Sequence, residues 1–154
     1  MSGATVSTAL EIDRILQILP HRWPYVMVDR VTEFHPKERI FGYKLVSIGE
    51  VWCQGHFPGR PIMPGVLVVE SMMQLSAVLA YASDPFDVST SLMYFLGIEK
   101  AKFRRPVIPG DKLDLEVNVV QQRTNVWKFR GEACVEGSTA ATAEFIASVV
   151  DREA

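Results

Sequence analysis

The stretch VLVVESMMQLSAVLAYA, residues 66–82, constrains this chain more than any other. Thirteen of its seventeen residues are apolar, and the polar ones are Glu70, Ser71, Gln74 and Ser76. A helix of that length runs roughly 25 Å, and one apolar nearly all round must be covered on most sides. The segment is short for a membrane span, carries Glu70 and Gln74 near its middle and lacks basic flanks at both ends. It therefore predicts the central helix of a soluble fold, with no membrane involved.

The material to cover such a helix lies on both sides of it. In KLDLEVNVV, Leu113, Leu115, Val117 and Val119 alternate with Asp114, Glu116 and Asn118, the two-residue period of a half-buried strand. VWKFRGEACV and TAATAEFIASVV continue the pattern around the turn EGS, giving three neighbouring antiparallel strands. VMVDRVTEF and ERIFGYKLVSI, rich in β-branched and aromatic residues, predict two more. Leu10, Ile12, Ile15, Leu16 and Leu19 recur at helical spacing and Pro20 stops them, which predicts a short helix over 10–19. The expected class is α+β, a sheet curled around one central helix. With 154 residues, no internal repeat and no low-complexity linker, the chain reads as a single domain over 1–154, residues 1–9 being a flexible N-terminal tail.

Composition removes several function classes. A formal net charge of -2, without a block of like charges, gives nucleic acid no electrostatic footprint. Cys53 and Cys134 form no C-x-x-C pair, so a disulfide framework or zinc knuckle is not expected, although a single bridge between them stays open. The start, MSGATVSTALEIDRILQILP, has neither a basic region before an apolar core nor the arginines of a transit peptide, and cytoplasmic residence is expected.

Chemistry concentrates in QGHFPGRPIMPGVLVVESMMQ, residues 54–74. Glu70 sits inside the core helix, where an ionised, unpaired carboxylate costs several kcal/mol, so the group is expected to remain protonated. A structural role, with Gln74 one turn on as its partner, is the plainer reading of Glu70 alone. His56 shifts the balance. Gly55, Pro58, Gly59 and Pro61 hold it in an irregular turn, and a histidine with a protonated carboxyl makes the two halves of an acid/base pair at neutral pH. Between them, Pro64 suits a helix start and Gly65 lets a ligand reach backbone N–H groups with no intrahelical acceptor. Base, acid and oxyanion donor together indicate proton removal beside a carbonyl, with the acid assisting a departing group.

LPHRWPYVMVDRV, QGHFPGRPIMPGVLVVESMMQ and GIEKAKFRRPVIPGDKL resemble the N-terminal, active-site and C-terminal signatures of the FabZ-type 3-hydroxyacyl-[acyl-carrier-protein] dehydratases of type II fatty acid synthesis. The likeness runs in one register from about Leu10 to the end of the chain. It implies a hotdog fold, an antiparallel sheet wrapped around a long central helix, and a homodimer, commonly built into a trimer of dimers, with active sites at the dimer interface. It implies His56 and Glu70 as the catalytic pair, drawn from different subunits, and the Gly65 amide as the group that polarises the thioester carbonyl. No cofactor and no metal are implied. The partner would be acyl carrier protein bearing an acyl chain on 4'-phosphopantetheine. Isomerisation of the double bond is not expected, since the sister FabA-type enzymes carry aspartate where this chain has Glu70.

This chain departs from the family where N-E-P-F-F is usual before Q-G-H: it reads GEVWC, with Val51, Trp52 and Cys53. That departure leaves the shape of the acyl tunnel, and with it the preferred chain length, open. Cys53 and His56 form a C-x-x-H, but with three histidines in all and no second ligand pair, packing is the expected role of Cys53. Near the tunnel, Trp23, Tyr25 and Phe57 are candidates to line the acyl path, whereas His21 and Arg22 are expected to hold the loop. Lys100, Lys102, Arg104 and Arg105, with Lys128 and Arg130, read either as a solvated face or as a surface that steers the acidic carrier protein. Two rival functions remain open: a dehydratase or thioesterase of a secondary-metabolite acyl pathway, and a non-catalytic acyl-binding hotdog subunit.

Overall fold

The computed structural model describes residues 9–153; all but the last residue of the expected N-terminal tail lies outside them. Helix α1 (Ile12–Ile18) is shorter than its periodicity. Leu10 is instead held by Val31 through paired backbone bonds of 2.9 Å, and Leu19 closes the helix by donating to Ile15 O. Strands β1 (Arg30–His35) and β2 (Arg39–Leu45) form a hairpin, and a short 3-10 turn, Val51–Gln54, precedes helix α2 (Gly65–Ser83). Strands β3 (Ser91–Phe103), β4 (Lys112–Arg123), β5 (Val126–Val135) and β6 (Ser138–Asp151) complete the chain. The strands form one six-stranded sheet in the order β1-β2-β4-β5-β6-β3, with every pairing antiparallel.

The three alternating segments of the C-terminal half are adjacent strands, as their patterns require. In β4, Leu113, Leu115 and Val117 are buried while Lys112 and Asp114 are exposed and Glu116 and Asn118 are half-buried. Trp127 and Phe129 of β5 and Phe145 of β6 add the largest buried side chains. Between β4 and β5, residues Thr124 and Asn125 make the turn without a glycine, with Thr124 at φ 57°. The Asn125 side chain donates to Val149 O, and Val149 N donates to Asn125 O, so β6 holds the turn.

Helix α2 lies across the concave face of the sheet, with Val68 to Ala80 buried apart from Glu70. It is long and apolar enough to cross a membrane, but 67% of that window is inside the fold. Gly131 of β5 permits the close approach: a Cβ there would stand 2.7 Å from Met72 Sδ and 3.2 Å from Phe145 Cε1. The buried hydroxyls of α2 return to its own backbone, Ser71 to Leu67 O and Ser76 to Met73 O, so the helix carries polar atoms into the core without leaving them unpaired. Cys53 and Cys134 are both free thiols, and burial raises the pKa of each.

The sequence reading did not assign β3. Its outward residues Tyr94, Leu96 and Ile98 are exposed, and it lies at an edge of the sheet with a row of unpaired backbone groups. Alternation is weak because its end, EKAKF, is exposed at every position.

Candidate active site

The loop bearing His56 is fastened at both ends. Lys44 of β2, almost wholly buried, pairs at 2.8 Å with Glu50, the residue that opens the 3-10 turn. Trp52 O then accepts from both Gly55 N and His56 N, and Ile62 N donates to His56 O at 2.8 Å. The imidazole is fixed in turn: its Nδ1 lies 2.7 Å from Ile62 O. A carbonyl can only accept, so Nδ1 carries the proton and Nε2 is the basic atom. Phe57 stacks on the ring with centroids 4.2 Å apart.

His56, Ile62, Met63 and Gly65 share a largely apolar cavity of about 480 Å³ with Val66, Val68, Phe103, Arg104, Arg105, Pro106, Val107, Ala140 and Ala141. Gly65 is the first residue of α2; Pro64 stands one place earlier, at the cap, where its carbonyl takes the N–H of Leu67 and Val68. The amides of Gly65 and Val66 lie in the first turn, where the helix has no acceptor to offer. Both residues line the cavity, which therefore lies at a helix N-terminus. Glycine fits here without displacing a neighbour, whereas a Cβ at residue 65 would stand 2.7 Å from Phe103 Cε1.

Glu70 corrects the expectation of an isolated acid among apolar groups. Its side chain keeps 23% of its exposure and faces the loop 21–27, not the sheet. Gln74 Nε2 donates to Glu70 Oε1 at 2.9 Å and to Tyr25 O at 2.6 Å, while Gln74 Oε1 accepts from Met27 N at 2.8 Å. His21, expected to serve only the loop, has Nε2 3.4 Å from Glu70 Oε1. The expected partnership with Gln74 is present, and the loop supplies a second partner that local spacing does not reveal. Glu70 does not line the cavity of His56 and Gly65, so one chain does not bring the acid and the base together there.

The other candidates divide. Trp23 and Tyr25 are 81% and 61% exposed and lie outside the His56 cavity, as does Phe57. Arg104 and Arg105 stand on the cavity's rim, and Lys102 joins Arg104 in the adjacent surface groove. Lys128 and Arg130 have their charge engaged: Arg130 donates to Glu144 at 3.0 Å, and Lys128 approaches Glu99 and Glu144, with Lys100 also on Glu144. Cys53 is packed with its thiol toward Ser47 O, and among the described residues no group of three or more His, Cys, Asp or Glu is placed to hold a metal. Phe103 was missed by sequence reasoning; its signal was a lone aromatic within the charged run EKAKFRR.

Residues 19–144 match the FabA-like domain family. The chain is 62% identical over 144 residues to the 3-hydroxyacyl-[acyl-carrier-protein] dehydratase FabZ of Sorangium cellulosum, covering 94% of this chain and 93% of that one. It is 48% identical over 145 residues to the FabZ of Myxococcus xanthus, covering 94% and 95%. In structure it resembles a dehydratase heterocomplex from Xenorhabdus doucetiae, with TM-score 0.73 and 21% identity over 94% of this chain and 93% of that one. A mutant thioesterase from Pseudomonas aeruginosa aligns at TM-score 0.60 and 15% identity, covering 79% and 81%, so the fold alone is shared more widely than any activity. Near-complete coverage at high identity, with the helix-wrapping sheet of the hotdog fold, places this chain in the FabZ-type dehydratases of the FabA-like family.

Proposed function

We propose that the chain dehydrates (3R)-3-hydroxyacyl-[acyl-carrier-protein] to the trans-2-enoyl thioester in type II fatty acid biosynthesis, in the cytoplasm and without a cofactor. The observation that carries this reading is the cavity that holds a histidine with its basic nitrogen free and the unpaired amides of a helix start. The thioester carbonyl oxygen docks on the Gly65 N–H. His56 Nε2 removes the α-proton, and negative charge gathers on that oxygen beside the helix N-terminus. The electron pair forms the α,β double bond as the β-carbon–oxygen bond breaks, and Glu70 gives its proton to the departing hydroxyl, which leaves as water. Each turnover ends with protonated His56 and ionised Glu70, and a proton returning from one to the other resets the site.

The site requires two copies in this reading, because Glu70 lies away from the cavity of its own chain. The unpaired edge of β3, thirteen residues long with Tyr94, Leu96 and Ile98 exposed, suits edge-to-edge pairing with a second copy, and a trimer of such dimers follows from the family resemblance. Trp23, Tyr25 and Phe57, exposed on a single chain, then become wall material for the acyl path. Arg104 and Arg105 at the rim, extended by Lys102, meet the acidic carrier protein, while Lys128 and Arg130 contribute less because Glu144 holds them.

The test is turnover of carrier-linked substrate by His56→Ala and Glu70→Gln, each expected to lose most of kcat while folding and dimerising normally. Mixing the two inactive proteins and allowing subunits to exchange should return about a quarter of wild-type activity, since each mixed dimer regains one intact site of two. Activity near wild type in either single variant would remove its residue from the mechanism, and failure to complement would remove the shared site.

A further inference from the structure

We propose that His21 is a positioning residue for Glu70, and that together with Gln74 it determines which carboxyl oxygen delivers the proton. This rests on Glu70 being the acid, as above. Gln74 cannot turn over: its Oε1 is occupied by Met27 N–H, so its Nε2 must face Tyr25 O and Glu70 Oε1. A protonated carboxyl has one oxygen that only accepts and one that carries hydrogen, and a fixed N–H donor selects the accepting one. Oε1 is therefore the acceptor, and the proton resides on Oε2.

His21 adds to this assignment at the same oxygen. Its Nε2 faces the same Oε1 at 3.4 Å, and its Nδ1 is buried with no hydrogen-bond partner. A buried imidazole leaves a lone pair unmatched at less cost than an N–H, so Nδ1 is the bare nitrogen and Nε2, the ring atom nearest Glu70, bears the hydrogen. The ring has little freedom to turn away. His21 follows Pro20, Arg22 donates to both Leu19 O and His21 O, and the ring lines a small cavity of about 20 Å³ walled by Ile18, Ala77, Phe86 and Phe95. A contact of 3.4 Å is long for a hydrogen bond, as catalytic contacts often are before substrate closes the site. The Gln74 N–H holds Oε1, and the His21 N–H joins it as the site closes, leaving Oε2 as the oxygen that meets the β-hydroxyl.

The experiment compares His21→Asn with His21→Gln. The glutamine amide nitrogen reaches the place of histidine Nε2, whereas that of asparagine falls short. We expect His21→Asn to lower kcat about tenfold with KM little changed, the loss typical of one hydrogen bond to the carboxylate that Glu70 becomes as it gives up its proton. We expect His21→Gln to recover most of it at an equal melting temperature. Wild-type kcat in His21→Asn, or equal losses in both variants, would overturn the proposal. Glu70→Gln assayed alongside separates the two readings: an active Glu70→Gln would overturn the acid itself, and with it the role of His21. An inactive Glu70→Gln beside a fully active His21→Asn would overturn the role of His21 alone.

Discussion

Replacing Gly65 by alanine tests the oxyanion site through a single methyl group. The added Cβ would stand 2.7, 2.8 and 3.3 Å from Phe103 Cε1, Cδ1 and Cζ, and these are its three nearest atoms. The ring is the element that must give way. Phe103 ends β3 and is 55% exposed, so it can swing aside, and the stability cost falls at the low end of overpacking, about 1 kcal/mol, or roughly 2–4 °C in melting temperature for a chain of this size. The functional cost is larger, because the displaced ring and the methyl both occupy the cavity where, in the proposed mechanism, the thioester oxygen reaches the Gly65 N–H. Loss of one oxyanion donor typically lowers kcat about 10²- to 10³-fold. Hydration of a carrier-linked crotonyl thioester, followed by loss of enoyl absorbance, measures that change, and thermal unfolding measures the other. Phe103→Ala in the Gly65→Ala background should restore much of the rate, since the clashing ring is gone. Turnover within about threefold of wild type in the folded Gly65→Ala protein would refute the assignment of the oxyanion site to this helix start.

Other consequences follow from the same structure. Reversing Arg104 and Arg105 to glutamate should raise KM for carrier-linked substrate roughly tenfold and flatten its salt dependence, while coenzyme A-linked substrate is turned over as before; equal effects on both would exclude a docking role. Leu96→Asp on the exposed row of β3 should yield monomers by light scattering and abolish turnover together, and an active monomer would disprove the shared site. Glu144 is held below the ordinary carboxylate value of 4.5, first by the Arg130 hydrogen bond, against the opposing effect of burial, and then by the charges of Lys100, Lys128 and Arg130. A depressed carboxyl contributes stability that is present above 4.5 and lost as pH falls through its lower folded value, so Glu144→Gln should flatten the fall in melting temperature below pH 4.5. An unchanged acid slope in that variant would assign the loss to other carboxyls.

Much of the fold was legible because it is written in local periodicity. The apolar run 66–82 had to be a covered helix, and the structure extends it by only one residue at each end. The two-residue alternation of KLDLEVNVV could belong only to a strand with one wet face, and β4 is that strand. β3 escaped notice because its alternating part, residues 93–98, carries no charged or strongly polar residue on its outward side, and its end is exposed at every position. In α1, helical spacing overstated the helix, since Leu10 is used in a backbone bridge to Val31.

The motif from His56 through Gly65 to Glu70 named the chemically capable residues, because a base, a helix start and a carboxyl are properties of residue type and short spacing. By itself the sequence determined the central helix, the alternating strands and the family, and it singled out these three positions as candidates. Tertiary structure decided how they are arranged: Ile62 O selects the tautomer of His56, Phe103 closes over Gly65, and His21 and Gln74 grip Glu70 on a face turned from the His56 cavity. Periodicity tells a side chain which way to face along its own element. What it meets there depends on segments distant in sequence, and only the packed chain brings those together.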